Sequence, residues 1–205
     1  MKNINTIIFD LGGVLIDWNP EYVYLDVFNG DRDKMNWFFE HICTSPWNEE
    51  QDAGKSLSEA TAERIALFPE HKELIEMYYG RWEEMLGGPI HETVKVLKSL
   101  IDTKKYQVVA LTNWSAETFP IALERFDFLH WFEGILVSGE ENTRKPFKKI
   151  YELTLERFKI KAESAIFIDD NKRNIDAAID CGINGIHFKS ATQLIDELKN
   201  YNIYI

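Results

Sequence analysis

Five short apolar runs punctuate the chain at residues 6–11, 107–113, 134–139, 165–170 and 185–188. They are rich in β-branched and aromatic residues and lack the apolar–polar alternation of a half-exposed sheet. Strands buried on both faces read this way, which predicts a parallel sheet. Helical patterns lie between them. Pro89 follows Gly87 and Gly88 and is placed to open a helix at its first position, with Val94, Leu97 and Ile101 on one face. Residues 116–126, 146–158, 172–181 and 190–200 are further helices, the last opening on Ser190 and Gln193 at capping-box spacing. Strand–helix alternation predicts an α/β fold, a doubly wound parallel sheet.

Residues 17–86 break that alternation, with no convincing strand run. Helical patterns cover 20–28, 32–42, 56–68 and 69–86, with a second capping box at Ser56 and Glu59. About seventy residues between two strands is too long for a single crossover. The expected organisation is a core of residues 1–16 and 88–205 with an inserted helical cap at 17–87, hinged at Gly87-Gly88 and after Leu15.

Composition narrows the class. The 205 residues are 45% hydrophobic and 13% aromatic, enough for a folded core. Lys and Arg number 23 against 34 Asp and Glu, a net charge of −11 that repels a nucleic-acid backbone. Cys43 and Cys181 have no Cys or His neighbours at ligand spacing, so neither a disulfide framework nor a zinc site is expected. The apolar run near the start is broken at Asp10, well short of a signal peptide or a membrane span. A cytoplasmic protein with no membrane or nucleic-acid partner is the expectation. It sets aside the glycosylation pattern Asn113-Trp114-Ser115.

Four features carry chemistry. Asp10 closes the first strand and is followed by Gly12 and Gly13. Ligands of open α/β sheets bind at such strand ends, and glycines there let backbone N–H groups approach an anion. Alone, this is equally a strand-end Asp in a tight turn. Asp169 and Asp170 close another strand; like charges so close call for a cation, and Mg²⁺ needs only one or two carboxylates. An Asp or Asn there also suits the N-cap of the following helix. Thr112 and Asn113 end a third strand, where a hydroxyl and an amide can donate to phosphate oxygens; a turn is the plainer role for Asn113. Lys145 stands between Arg144 and Pro146, and a helix opened by the proline would fix where the lysine points. A solvated charge is the plainer role for any single lysine.

Together, and in this order, the four features resemble those of the haloacid dehalogenase (HAD) superfamily of phosphohydrolases. The likeness spans nearly the whole chain, including a helical cap just after the first motif. No Walker loop, HExxH, GxSxG or dinucleotide fingerprint competes. The resemblance implies that Asp10 is the nucleophile, forming an aspartyl phosphate. It implies that Thr112, with Asn113 beside it, binds the phosphoryl group and that Lys145 neutralises both the nucleophile and the phosphoryl. Asp170 would bind Mg²⁺ with Asp10 and the Gly12 carbonyl, with Asp169 as a less constrained neighbour. Asn174 occupies a place where many relatives have another acid. The implied activity is a Mg²⁺-dependent phosphatase acting on a small phosphorylated metabolite, with a sugar phosphate in view because sugar-1-phosphate phosphatases also carry Asp-Leu-Gly.

Gly12 departs from the many relatives that carry a second Asp there to protonate the leaving group and activate water. Such assistance is worth about 10²–10⁴-fold. Either a good leaving group makes it dispensable or another group, Asp17 or a metal-bound water, supplies the proton. Two alternatives stay open. A 2-haloacid dehalogenase also lacks that acid but needs no metal and replaces the final acids, and a binding protein could have lost turnover. Trp18, Trp37, Trp47, Trp82, Tyr22, Tyr24, Tyr78 and Tyr79 crowd the cap region, as its own core or as a substrate pocket, with Trp18 and Asn19 directly after the first motif.

Overall fold

A computed structural model describes residues 3–205. Its centre is a parallel sheet of five strands: β1 (Thr6–Phe9), β4 (Gln107–Thr112), β5 (Ile135–Val137), β6 (Ala165–Asp169) and β7 (Asn184–His187), in the order β5-β4-β1-β6-β7. Every residue of β1 and β6 is buried, as their unbroken apolar runs require. Ile7 and Phe9 face one core while Ile8 faces the other. The first core is closed by α6 (His91–Asp102) and α11 (Ala191–Lys199) and the second by α9 (Lys148–Arg157) and α10 (Lys172–Asp180).

From β1 the chain builds β4 and β5 on one side and then crosses back to build β6 and β7 on the other, so β1 ends beside the crevice where strand order reverses. Register then aligns the chemistry. Phe9 lies level with Ala110 of β4 and with Ile168 of β6, which brings the next residues, Asp10, Leu111 and Asp169, to one height.

Between β1 and β4 lie α1 (Glu21–Val27), α2 (Arg32–His41), α3 (Ser45–Asp52), α4 (Leu57–Leu67) and α5 (Lys72–Gly80). Tyr24 stacks on Phe28 and Phe38 and meets Phe39 and Tyr78, so these aromatics form the helices' own core. Capping follows the expected chemistry at Ser56, which accepts from Glu59 N–H, and at Ser190, which accepts from Gln193 N–H. No helix among the described residues is long and apolar enough to cross a membrane.

Several local expectations are corrected. The two stems of the helical segment are not plain hinges. They pair as an antiparallel ribbon of β2 (Ile16–Trp18) and β3 (Leu86–Pro89). Pro89 therefore ends a strand, and α6 starts at His91. Its fully buried residues are Thr93, Val96, Leu97 and Leu100, and Val94 and Ile101 pack half-buried against the same core. Pro146 likewise opens no helix, because α9 begins at Lys148. Helix α3 was not anticipated, although Pro46 in its first turn, the Thr44 cap and Gly54 beyond its end are start and stop signals.

Candidate active site

Asp10 follows β1 at the sheet's carboxyl edge. Its Oδ1 accepts from the Leu11 N–H at 2.7 Å and pairs with Lys145 Nζ at 2.8 Å. Oδ2 makes no hydrogen bond among the described residues. One oxygen is thus fixed and the other left open to a cavity of about 260 Å³ lined in part by Asp10, Gly12 and Asp170.

Lys145 is not a solvated charge: its side chain is 1% exposed. Its ammonium also donates to Asp169 Oδ2 at 2.7 Å and to the Leu111 carbonyl at 3.2 Å, and lies over the Phe167 ring. All three of its N–H donors are used. Burial alone would push this ammonium's pKa down, but Asp10 and Asp169 hold it above the ordinary lysine range. Burial raises the Asp10 carboxyl against the pull of Lys145, and Asp169 adds to the rise.

What points Lys145 is Asn113. Asn113 Oδ1 accepts from the Lys145 N–H at 2.8 Å, and Asn113 Nδ2 donates to the Lys145 carbonyl at 3.0 Å. The amide is a two-point clamp on the lysine backbone, and Asn113 also lies on the cavity wall with one Nδ2 hydrogen uncommitted. Thr112, at the end of β4, is buried, and its hydroxyl makes no hydrogen bond among the described residues.

The paired acids divide their tasks. Asp169 is fully buried and accepts from Lys145, the Asn171 N–H at 2.7 Å and Asn174 Nδ2 at 3.0 and 3.1 Å. Asn171 caps α10 by accepting from the Arg173 N–H. Asp170 opens into the cavity, and its carboxylate has no ion-pair partner among the described residues. Burial and Asp169 raise its pKa. Asp10, Asp169 and Asp170 each present an oxygen within 4.8 Å of the others, so three acids face one lysine. With Asp169 committed, the Asp10 and Asp170 carboxylates and the Gly12 carbonyl are the hard oxygen donors that could hold a divalent cation.

Gly13 and Gly12 are unlike. Gly13 has φ +71°, and a Cβ there would lie 2.3 Å from Asp170 Oδ2, so only glycine lets the acid approach. A Cβ on Gly12 meets nothing within 4 Å.

The rest of the cavity wall includes Trp18, Tyr79, Trp82 and Trp114 with the polar Asn48 and Asp52. Trp18 lies on this wall, whereas Asn19 is not on it and accepts from the Glu21 N–H at the start of α1. Asp17, weighed as a proton source, accepts from the Tyr22 hydroxyl at 2.5 Å and is not on this wall. Asn48 and Asp52 were missed because Asn48-Glu49-Glu50-Gln51-Asp52 reads as a solvated polar run.

Comparison with known proteins agrees with this architecture. The family described as haloacid dehalogenase-like hydrolase matches residues 7–188. A sesquiterpene phosphatase of Aspergillus oryzae is 28% identical over 94% of this chain and 93% of its own. A phosphorylated carbohydrates phosphatase of Thermotoga maritima is 25% identical over 90% of this chain and 84% of its own. A HAD family enzyme of Bacteroides thetaiotaomicron, solved with magnesium and inorganic phosphate, shares the fold at a TM-score of 0.65 and 21% identity, covering 91% of this chain and 94% of its own.

Proposed function

This chain belongs to the haloacid dehalogenase-like hydrolase family, and from that premise we propose a Mg²⁺-dependent phosphatase that hydrolyses a small phosphorylated metabolite through a phosphoaspartate on Asp10. One observation carries the reading: three carboxylates converge, a single buried lysine pairs with two of them, and Asp10 and Asp170 keep oxygens free. Such a cluster is costly without a further cation. A 2-haloacid dehalogenase, attacking carbon with the same aspartate, has no need of it.

In this reading Asp10 Oδ2 attacks phosphorus while Lys145 holds Oδ1 and offsets the charge of the approaching anion. Mg²⁺, when bound by Asp10, Asp170 and the Gly12 carbonyl, supplies neutralisation of the transferring phosphoryl. Asn113 acts one step removed, by fixing Lys145. The Thr112 hydroxyl, buried at the end of β4, would donate to a phosphoryl oxygen. Water then cleaves the phosphoaspartate and frees Asp10.

The helical segment at 17–87 would act as a cap over the core of residues 1–16 and 88–205. Its Trp18, Tyr79 and Trp82, with Trp114 of the core, offer apolar faces, and Asn48 and Asp52 offer hydrogen bonds. A sugar, with apolar ring faces and hydroxyls, suits that lining as a leaving group, and the carbohydrate phosphatase relative supports the class. The test is phosphate release from sugar phosphates, nucleotides and phosphoacids. EDTA should abolish it and added Mg²⁺ restore it. Full activity in metal-free buffer, or chloride release from 2-chloropropionate in its place, would overturn the proposal.

A further inference from the structure

Cleavage of an unactivated phosphate ester needs a proton for the departing oxygen, and the water that follows must lose one. Gly12 has no side chain to do either. The cavity holds one carboxylate besides those of the converging acid cluster, that of Asp52, the last residue of α3.

Helix α3 is bolted to the catalytic core. Glu49 bridges Arg144, the neighbour of Lys145, at 2.6 Å and Arg173 of α10 at 2.7 Å. The Ser138 hydroxyl donates to the Asp52 carbonyl and accepts from the Trp114 N–H at 2.9 Å, which ties Asp52 to the loop after β4. Gly54, at φ +100°, passes so close to the turn at Gly139 and Asn142 that a Cβ would lie 2.5 Å from Asn142 Oδ1. The Asp52 side chain is oriented too. Tyr79 donates to Asn48 Oδ1 at 3.0 Å, and Asn48 Nδ2 donates to Asp52 Oδ2 at 3.3 Å. Oδ1 of Asp52 makes no hydrogen bond among the described residues.

We propose that Asp52 is the general acid and base of this enzyme, in place of an acid at position 12. The inference rests on the phosphatase reading above. In the first half-reaction Asp10 Oδ2 bonds to phosphorus, the bond from phosphorus to the leaving oxygen breaks, and that oxygen takes the Asp52 proton. In the second, Asp52 takes a proton from water as the water oxygen bonds to phosphorus, and the bond to Asp10 breaks. Alcohol and phosphate leave, and Asp52 is protonated again. Its surroundings suit both roles. Burial pushes the carboxyl up to about 7; Arg144 and Lys145 oppose the rise and Glu49 adds to it. The facing Tyr78 and Tyr79 hydroxyls are themselves pushed up by burial and stay neutral. An acid–base group works best with its pKa near the operating pH.

The experiment compares wild type, Asp52→Asn and Asp52→Asn combined with Gly12→Asp, each confirmed folded by circular dichroism, on an alkyl phosphate and on 4-nitrophenyl phosphate. Asp52→Asn should lose about 10²–10⁴-fold on the alkyl ester. On 4-nitrophenyl phosphate, whose leaving group needs no proton, it should release a burst of one 4-nitrophenolate per site and then stall at the phosphoaspartate. Gly12→Asp, with open space for its side chain, should recover at least about tenfold of the lost turnover, which a merely structural defect would not permit. Wild-type rates from Asp52→Asn on the alkyl ester would overturn the role of Asp52 and leave the phosphatase reading standing. So would a folded Asp52→Asn with neither burst nor recovery, which assigns Asp52 to binding. No hydrolysis of any ester by wild type would overturn the phosphatase reading itself.

Discussion

Lys145→Met tests whether the buried ammonium holds the site together. Methionine is unbranched and of similar length, so the buried stem is largely kept and what disappears is the charge, with its contact over the Phe167 ring. Asp10 and Asp169 then lose the ion pairs at 2.8 and 2.7 Å. Removing one partner from a buried pair costs about 3–5 kcal/mol because the other charge is left uncompensated. For a chain of this size each kcal/mol shifts Tm by about 2–4 °C, so metal-free Lys145→Met should melt about 6–20 °C below wild type at pH 8. The sign of the pH dependence follows from the carboxylates. Lys145 lowers the Asp10 pKa, so its loss lets burial raise that pKa further. A folded-state pKa above the unfolded value favours folding only while the group is protonated, and that stability is lost as pH rises through the folded pKa. The gap between wild type and variant should therefore be small near pH 4 and widen toward pH 8. Thermal unfolding followed by circular dichroism in EDTA reads it directly. Equal melting at pH 8, or a gap independent of pH, would refute the claim that a charge deficit is what Lys145 corrects.

Asp10→Asn should fold, form no phosphoenzyme and lose turnover, while in EDTA at neutral pH it should match or exceed wild-type Tm because one buried negative charge is gone; a 32P-labelled adduct on the variant would contradict the assignment of the nucleophile. Gly13→Ala should weaken Mg²⁺ binding by displacing Asp170, whereas Gly12→Ala should leave it unchanged, since a Cβ is obstructed at the first position and free at the second; calorimetric titration with Mg²⁺ separates them, and equal affinities would count against the geometry. Saturating Mg²⁺ should raise wild-type Tm, by about 2.7 kcal/mol of added stability at a hundred times Kd, and should fail to raise it in Asp10→Asn combined with Asp170→Asn.

The residues read from the sequence with their places right share one property: each is fixed by local chain logic. Asp10, Thr112 and the Asp169–Asp170 pair end or directly follow strands whose buried runs are unmistakable, and strand register alone brings Asp10 and Asp169 level. Less is legible where a role depends on which partner a side chain meets. Asn113 and Asp169 sit where expected, yet one grips the Lys145 backbone and the other receives its ammonium. Pro146 was read as a local device for aiming the lysine; the aiming comes from an amide 32 residues away.

Helix α3 shows why the remainder was out of reach. Its start and stop are written locally, at Thr44, Pro46 and Gly54, but its face is not. Glu49, Glu50 and Asp52 are charged, and charge in a helix normally marks solvent. Here Glu49 meets arginines 95 and 124 residues further along the chain, and Asp52 is held through Ser138, 86 residues on. Each of those links costs little to read once the sheet is built, because Arg144, Ser138 and Arg173 all follow strand ends at the same crevice. None can be ranked before the strand order is known. A polar run that would be unremarkable on a surface becomes part of the cavity wall because the sheet edge supplies its counter-charges. The acid missing at position 12 therefore could not be located by searching near the first motif. Any replacement had to come from a segment whose contacts are set by tertiary structure, and the carboxylate so placed, with partners on both its backbone and its side chain, is Asp52.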